Sequence, residues 1–145
     1  MDIAESFLSD QEEQAVISAI QKAEKNTSGE IRVHIEKQSK KPTLERAKEV
    51  FLFLKMHQTK QSNGVLFYVD VHNKQFAILG DEGINKVVPS NFWEEEQQLV
   101  TKFFAQKKFE KGLTKGILKV GEKLKEFFPY QTNDTNELSD EISKG

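Results

Sequence analysis

Glu30, Asp81 and Glu82 are the carboxylates whose setting in this chain suits chemistry. Glu30 directly follows Thr27-Ser28-Gly29 and opens an alternating segment. Asp81-Glu82 ends an apolar run and is flanked by Gly80 and Gly83, which permit sharp backbone turns. Asn63, ahead of another apolar run, adds an amide oxygen. Carboxylate, amide and backbone oxygens delivered by loops are the donors of a hard divalent cation. Ca2+ accepts roughly six to eight such oxygens in irregular geometry and is favoured here, with Mg2+ possible. Glu94, Glu95 and Glu96 start a later helix and are further candidates. The competing reading is ordinary: acidic residues at a helix start often serve as caps and solvated charges.

A second group is Glu36, Lys37, Asp70, His72 and Asn73. Asp70 and His72 lie two apart and point the same way on a strand, so they suit an acid/base or metal pair. They suit a hairpin turn equally well. His34 shares a strand face with Arg32. The chain has no Cys, which excludes disulfides, thiolate nucleophiles and cysteine-type zinc sites. It contains no G-x-S-x-G, no G-x-x-x-x-G-K and no G-x-G-x-x-G, so neither a nucleophile elbow nor a phosphate-cradling loop is written in it.

The elements that must position these groups follow from periodicity. Ser9-Asp10-Gln11-Glu12 forms a capping box, and Val16, Ile17, Ile20 and Ala23 continue it as one apolar helical stripe. Glu30–Glu36 alternates with period two, placing Ile31, Val33 and Ile35 on one face of a strand and Arg32, His34 and Glu36 on the other. Thr43 opens a second helix after Pro42, with Ala47, Val50, Phe51 and Leu54 as its core stripe and Phe53 beside it. Val65–Val71 is apolar almost throughout, as in a strand covered on both faces. His72-Asn73 is expected as a two-residue hairpin turn into a return strand, Gln75–Leu79. A helix begins near Ser90 or Asn91, and a last one carries Leu113, Ile117, Val120 and Leu124. Its many Lys residues, balanced by Glu110, Glu122 and Glu126, describe a solvated face.

The order α-β-α-β-β-α-α predicts an α/β fold, a three-layer αβα sandwich whose small mixed sheet has helices on both faces. The crossover helix makes the first two strands parallel and the hairpin makes the third antiparallel. One sheet edge then gathers Glu30, Ser62-Asn63 and Gly80-Asp81-Glu82.

With 145 residues the chain is expected to form one domain over residues 1–129, followed by a polar, acidic tail over 130–145 that is too poor in apolar groups to offset its ordering entropy. The formal charge of −2 argues against a nucleic-acid binder that relies on overall charge. No apolar run reaches membrane-spanning length, and the N-terminus carries no signal-peptide pattern, so a cytoplasmic monomer without a transmembrane segment is the expectation.

Ser28-Gly29-Glu30-Ile31-Arg32-Val33, Asn63-Gly64-Val65-Leu66-Phe67-Tyr68-Val69, Phe76-Ala77-Ile78-Leu79-Gly80-Asp81-Glu82-Gly83-Ile84 and Trp93 resemble the TPM domain over about residues 10–128. That family includes a thylakoid-lumen acid phosphatase, photosystem II repair proteins and a modulator of acetylcholine receptors. The resemblance implies an αβα sandwich and, in some members, divalent-metal binding or phosphatase activity. It places the functional edge at Glu30, Asp81 and Glu82. Two functions follow as expectations. One is a Ca2+- or Mg2+-binding regulatory or interaction module that engages a protein partner. The other is a metal-assisted acid phosphatase on the same carboxylates, with Arg32 or Lys60 steadying the developing charge.

Overall fold

The structure, a computed structural model, describes residues 3–130 and 140–145. Helix α1 spans Asp10–Glu24 and starts as its sequence dictates: Ser9 Oγ accepts from the Glu12 backbone N–H at 3.1 Å, and Glu12 Oε1 accepts from the Ser9 N–H at 2.9 Å. Strand β1 is Glu30–Glu36, and helix α2, Thr43–Phe53, leads through a short 3-10 turn, Met56–Gln58, to strand β2, Gly64–Asp70. Strand β3 is Gln75–Gly80. Three helices follow: α3, Glu82–Asn85; α4, Phe92–Ala105; and α5, Phe109–Phe127. A two-residue strand, β4, Ser143–Lys144, completes a four-stranded sheet of order β3-β2-β1-β4.

β1 and β2 are parallel, with Glu30 opposite Gly64 and Glu36 opposite Asp70, while β3 runs antiparallel to β2, with Val65 opposite Gly80. The strand alternation divides the interior as the period-two reading requires. Ile31, Val33, Ile35, Val65, Phe67 and Val69 meet α1, α4 and α5 in the larger core. Leu66, Tyr68 and Ala77 meet Ala47, Val50, Phe51 and Met56 on the opposite face. Helices therefore cover both sides of a mixed sheet.

Two local expectations are corrected. The β2–β3 hairpin is not a two-residue turn at His72-Asn73; Val71 to Lys74 connect the strands, and the left-handed residue is Lys74, φ 55°. The physical reason lies in the neighbouring loop: the Val71 and His72 N–H groups donate to the carbonyls of Glu36 and Lys37 at 2.9 and 3.0 Å, which draws the chain away from β3. Phe53 stands beside the α2 core stripe and is 80% exposed. Glu96 does not join an acidic edge but is fully buried between α4, α5 and the sheet. Of the polar tail, residues 131–139 lie outside the described residues, and Ser143–Lys144 pair in parallel with β1 at His34 and Ile35.

Candidate functional site

The backbone brings the three predicted loops to one sheet edge. Glu30 lies opposite Gly64, the Asp81 N–H donates to the Gly64 carbonyl at 3.0 Å, and Gly80 lies opposite Val65. The loop before Glu30 is pinned from beneath, because the buried Thr27 hydroxyl donates to the Leu124 and Phe128 carbonyls at the end of α5 and accepts from the Gly29 N–H. On the other side, Gly83 packs directly on the 61–62 segment. A Cβ there would stand 2.1 Å from the Gln61 carbonyl oxygen and 2.5 Å from that of Ser62. Only glycine admits this approach, so α3 is seated against the loop that leads into Asn63.

The side chains occupy unequal environments. Glu30 is only 2% exposed. Asp81 is the N-cap of α3 and accepts from the Glu82 N–H at 2.8 Å, while Glu82 lies exposed on the first turn. Asn63 is 1% exposed; its amide nitrogen donates to Ser28 Oγ at 3.3 Å, and its Oδ1 is buried and accepts no hydrogen bond among the described residues. Among the described residues no three Asp, Glu, His or Cys side chains stand close enough to hold an ion by themselves. An ion at this edge would need amide and backbone oxygens beside its carboxylates, and the orphaned Asn63 Oδ1 is that kind of donor, whereas the Gln61 and Ser62 carbonyl oxygens are packed against Gly83.

Glu24 was not legible as part of this edge. It ends α1, and its Oε2 accepts from the Ile31 N–H at 2.8 Å. Burial, then a hydrogen bond shared with Asp140, push its carboxyl far above the ordinary range, and the nearby Glu30 charge adds to the effect against the opposing Ile31 bond. Arg32, a candidate phosphate-steadying cation, reaches Glu141 instead: its Nη2 donates to the Glu141 carbonyl at 3.4 Å.

At the opposite edge, Asp70 organises a turn. It accepts from the Ser39 N–H at 3.0 Å, the Asn73 N–H at 3.1 Å and the Asn73 side-chain amide at 2.8 Å. Beside it, Arg46 of α2 grips Glu36 with bonds of 2.7–3.1 Å, the Tyr68 hydroxyl donates to Glu36 Oε2, and His34 stacks on Tyr68 with ring planes 10° apart. His34 Nδ1 meets Ser143 Oγ at 3.0 Å, so β4 closes over this network. Burial of His34 lowers its pKa despite the adjacent Glu36, which favours the neutral ring. The arrangement is a polar network that fixes α2 and β4 on the sheet; within it the buried His34 Nε2 makes no hydrogen bond among the described residues and stands 3.6 Å from Glu36 Oε1.

Comparison with known proteins identifies the architecture. The family model for the TPM domain matches residues 2–123. The solution structure of the BA42 protein from the psychrophilic bacterium Bizionia argentinensis is similar at 50% identity, with a TM-score of 0.89 and 96% of each chain covered. The N-terminal domain of a protein from P. gingivalis, at 16% identity, has a TM-score of 0.70 over 86% of this chain and 83% of its own. The N-terminal domain of the cg2496 protein from Corynebacterium glutamicum, at 12% identity, has a TM-score of 0.62 over 81% and 74%. These last two likenesses are of fold alone. No curated protein matches.

Proposed function

The chain belongs to the TPM domain family, and from that premise we propose that it is a divalent-cation-binding regulatory or interaction module, with the ion held at the edge formed by Glu30, Asn63, Asp81 and Glu82. The observation that carries the reading is Asn63 Oδ1, a buried acceptor with no hydrogen-bond partner among the described residues, placed one position before the Gly64 that pairs with Glu30. A buried amide oxygen left without a donor costs about 1–3 kcal/mol, and a cation offsets that cost. The mixture of oxygens supports Ca2+ over Mg2+, which requires near-octahedral geometry and retains its waters. An ion here would tie together the Asn26–Glu30, Ser62–Asn63 and Gly80–Asn91 loops and present them as one ordered surface to a protein partner. At a free concentration 100 times its dissociation constant, it would stabilise the fold by roughly 2.7 kcal/mol. The metal-assisted phosphatase reading ranks second, because Arg32 is directed at Glu141 and not at the carboxylates.

A calcium titration followed by amide NMR is the test. Saturating shifts confined to those three loops are expected. Spectra that superimpose with and without Ca2+ would overturn the proposal.

A further inference from the structure

Helix α2 buries one side and leaves an unusual other side. Ala47, Val50 and Phe51 face the sheet. Leu44, Lys48 and Leu52 repeat every four residues along an outward stripe, with Phe53 next to Leu52 at the helix end. Leu44 is 52% exposed, Leu52 58% and Phe53 80%, so three large apolar side chains on one helix stand in solvent.

The charge around them is one-sided. Residues 37–60 hold seven Lys and Arg against two Glu, in a chain whose formal charge is −2, so the remainder is net acidic. Exposed lysines lie at both ends of the helix, Lys40 before it and Lys55 after it, with Lys48 between. Of the two acids, Glu49 is neutralised by ion pairs with Lys41 and Arg46. Lys55 is also the residue at which the chain turns sharply, in left-handed conformation with φ 60°, so Phe53 marks the last turn of the helix before the backbone leaves it.

Among the described residues no helix is long and apolar enough to cross a membrane. A short helix with apolar side chains outward and lysines at both ends has the form of one that lies in a membrane interface: the apolar groups enter the acyl boundary and the lysines meet anionic headgroups. We propose that the outer face of α2 docks this protein reversibly on an anionic bilayer surface, with Phe53 and Leu52 as the inserting side chains. The occupant is an anionic bilayer because the exposed Lys40, Lys48 and Lys55 alternate along the segment with the exposed Leu44, Leu52 and Phe53, a pairing of charge and apolar groups that suits headgroups and acyl boundary together.

The test is co-sedimentation of the full chain with phosphatidylcholine vesicles, with and without phosphatidylserine. Binding is expected only to the phosphatidylserine vesicles, and it should fall steeply with added salt. Phe53→Ala together with Leu52→Ala, both exposed and therefore harmless to the core, should weaken binding about tenfold or more. Lys48→Glu together with Lys55→Glu should abolish it. Failure to sediment with either vesicle would overturn the proposal, as would binding that ignores the Phe53 and Leu52 changes. Self-association in the absence of lipid that Phe53→Glu dissociates would assign the face to a second copy of the chain and overturn it equally.

Discussion

Glu96 gives the sharpest quantitative prediction about this fold. Its carboxyl is fully buried, neither oxygen has a hydrogen-bond partner among the described residues, and a Cβ on Gly116 of α5 would stand 3.2 Å from Oε2. Burial raises its pKa from 4.5 to about 8, against the opposing pull of Lys119. Below about 8 the fold therefore holds this proton, whereas the unfolded chain gives it up above about 4.5. The sign follows: stability is fully present below the unfolded value and declines as pH rises towards the folded one. At about 1.4 kcal/mol per pKa unit, the cost accumulated at pH 7 is about 3 kcal/mol. Glu96→Gln keeps the shape and removes the titration. Urea unfolding at a series of pH values should show the variant level with the parent near the ordinary carboxylate pKa and about 2–3 kcal/mol more stable at neutrality. A stability difference between the two proteins that does not change with pH would refute the reasoning.

Other perturbations test other parts of the molecule. Gly83→Ala places a methyl group against the Gln61 and Ser62 carbonyls; it should cost on the order of 2 kcal/mol in denaturant unfolding and shift the 61–63 amides. Burial alone would raise the Glu36 pKa, but the hydrogen bonds from Arg46 and Tyr68 prevail and hold it below the ordinary value. That contribution is present above the ordinary carboxylate pKa and is lost as pH falls through the lower folded one. Arg46→Met should therefore cost about 2 kcal/mol at neutrality and move the acid unfolding midpoint to higher pH. Ending the chain after residue 139 removes the Gly145 carbonyl that accepts from the Lys37 N–H at 3.0 Å; hydrogen exchange at Lys37 should accelerate about tenfold or more, while the amides between β1 and β2 keep their protection.

The fold was readable because its signals are local and agree with one another. The capping box at Ser9, the alternation of Glu30–Glu36 and the apolar run into Asp70 each specify an element, and the crossover rule joins them into one mixed sheet. The gathering of Glu30, Asn63 and Asp81 at one edge was likewise readable, because strand order fixes which strand ends are neighbours. Features set by long-range contact were not. Glu96 has the sequence position of a helix-start acid, and only the seating of Gly116 beside it shows that it is in the core. Glu24 looks like a solvated last-turn residue until Ile31 and Asp140 are placed beside it. β4 pairs only two residues, too few to leave a period in the sequence.

The proposed role of Asn63 Oδ1 as an ion ligand decides the reading of this sheet edge. It is tested most directly by the Asn63 side-chain amide resonances during a Ca2+ titration of the parent chain and of Glu30→Gln. A large, saturable shift of those resonances is expected in the parent, with a marked loss of affinity in the variant. Asn63 resonances that stay fixed while Ca2+ is added, or that move identically in Glu30→Gln, would contradict it.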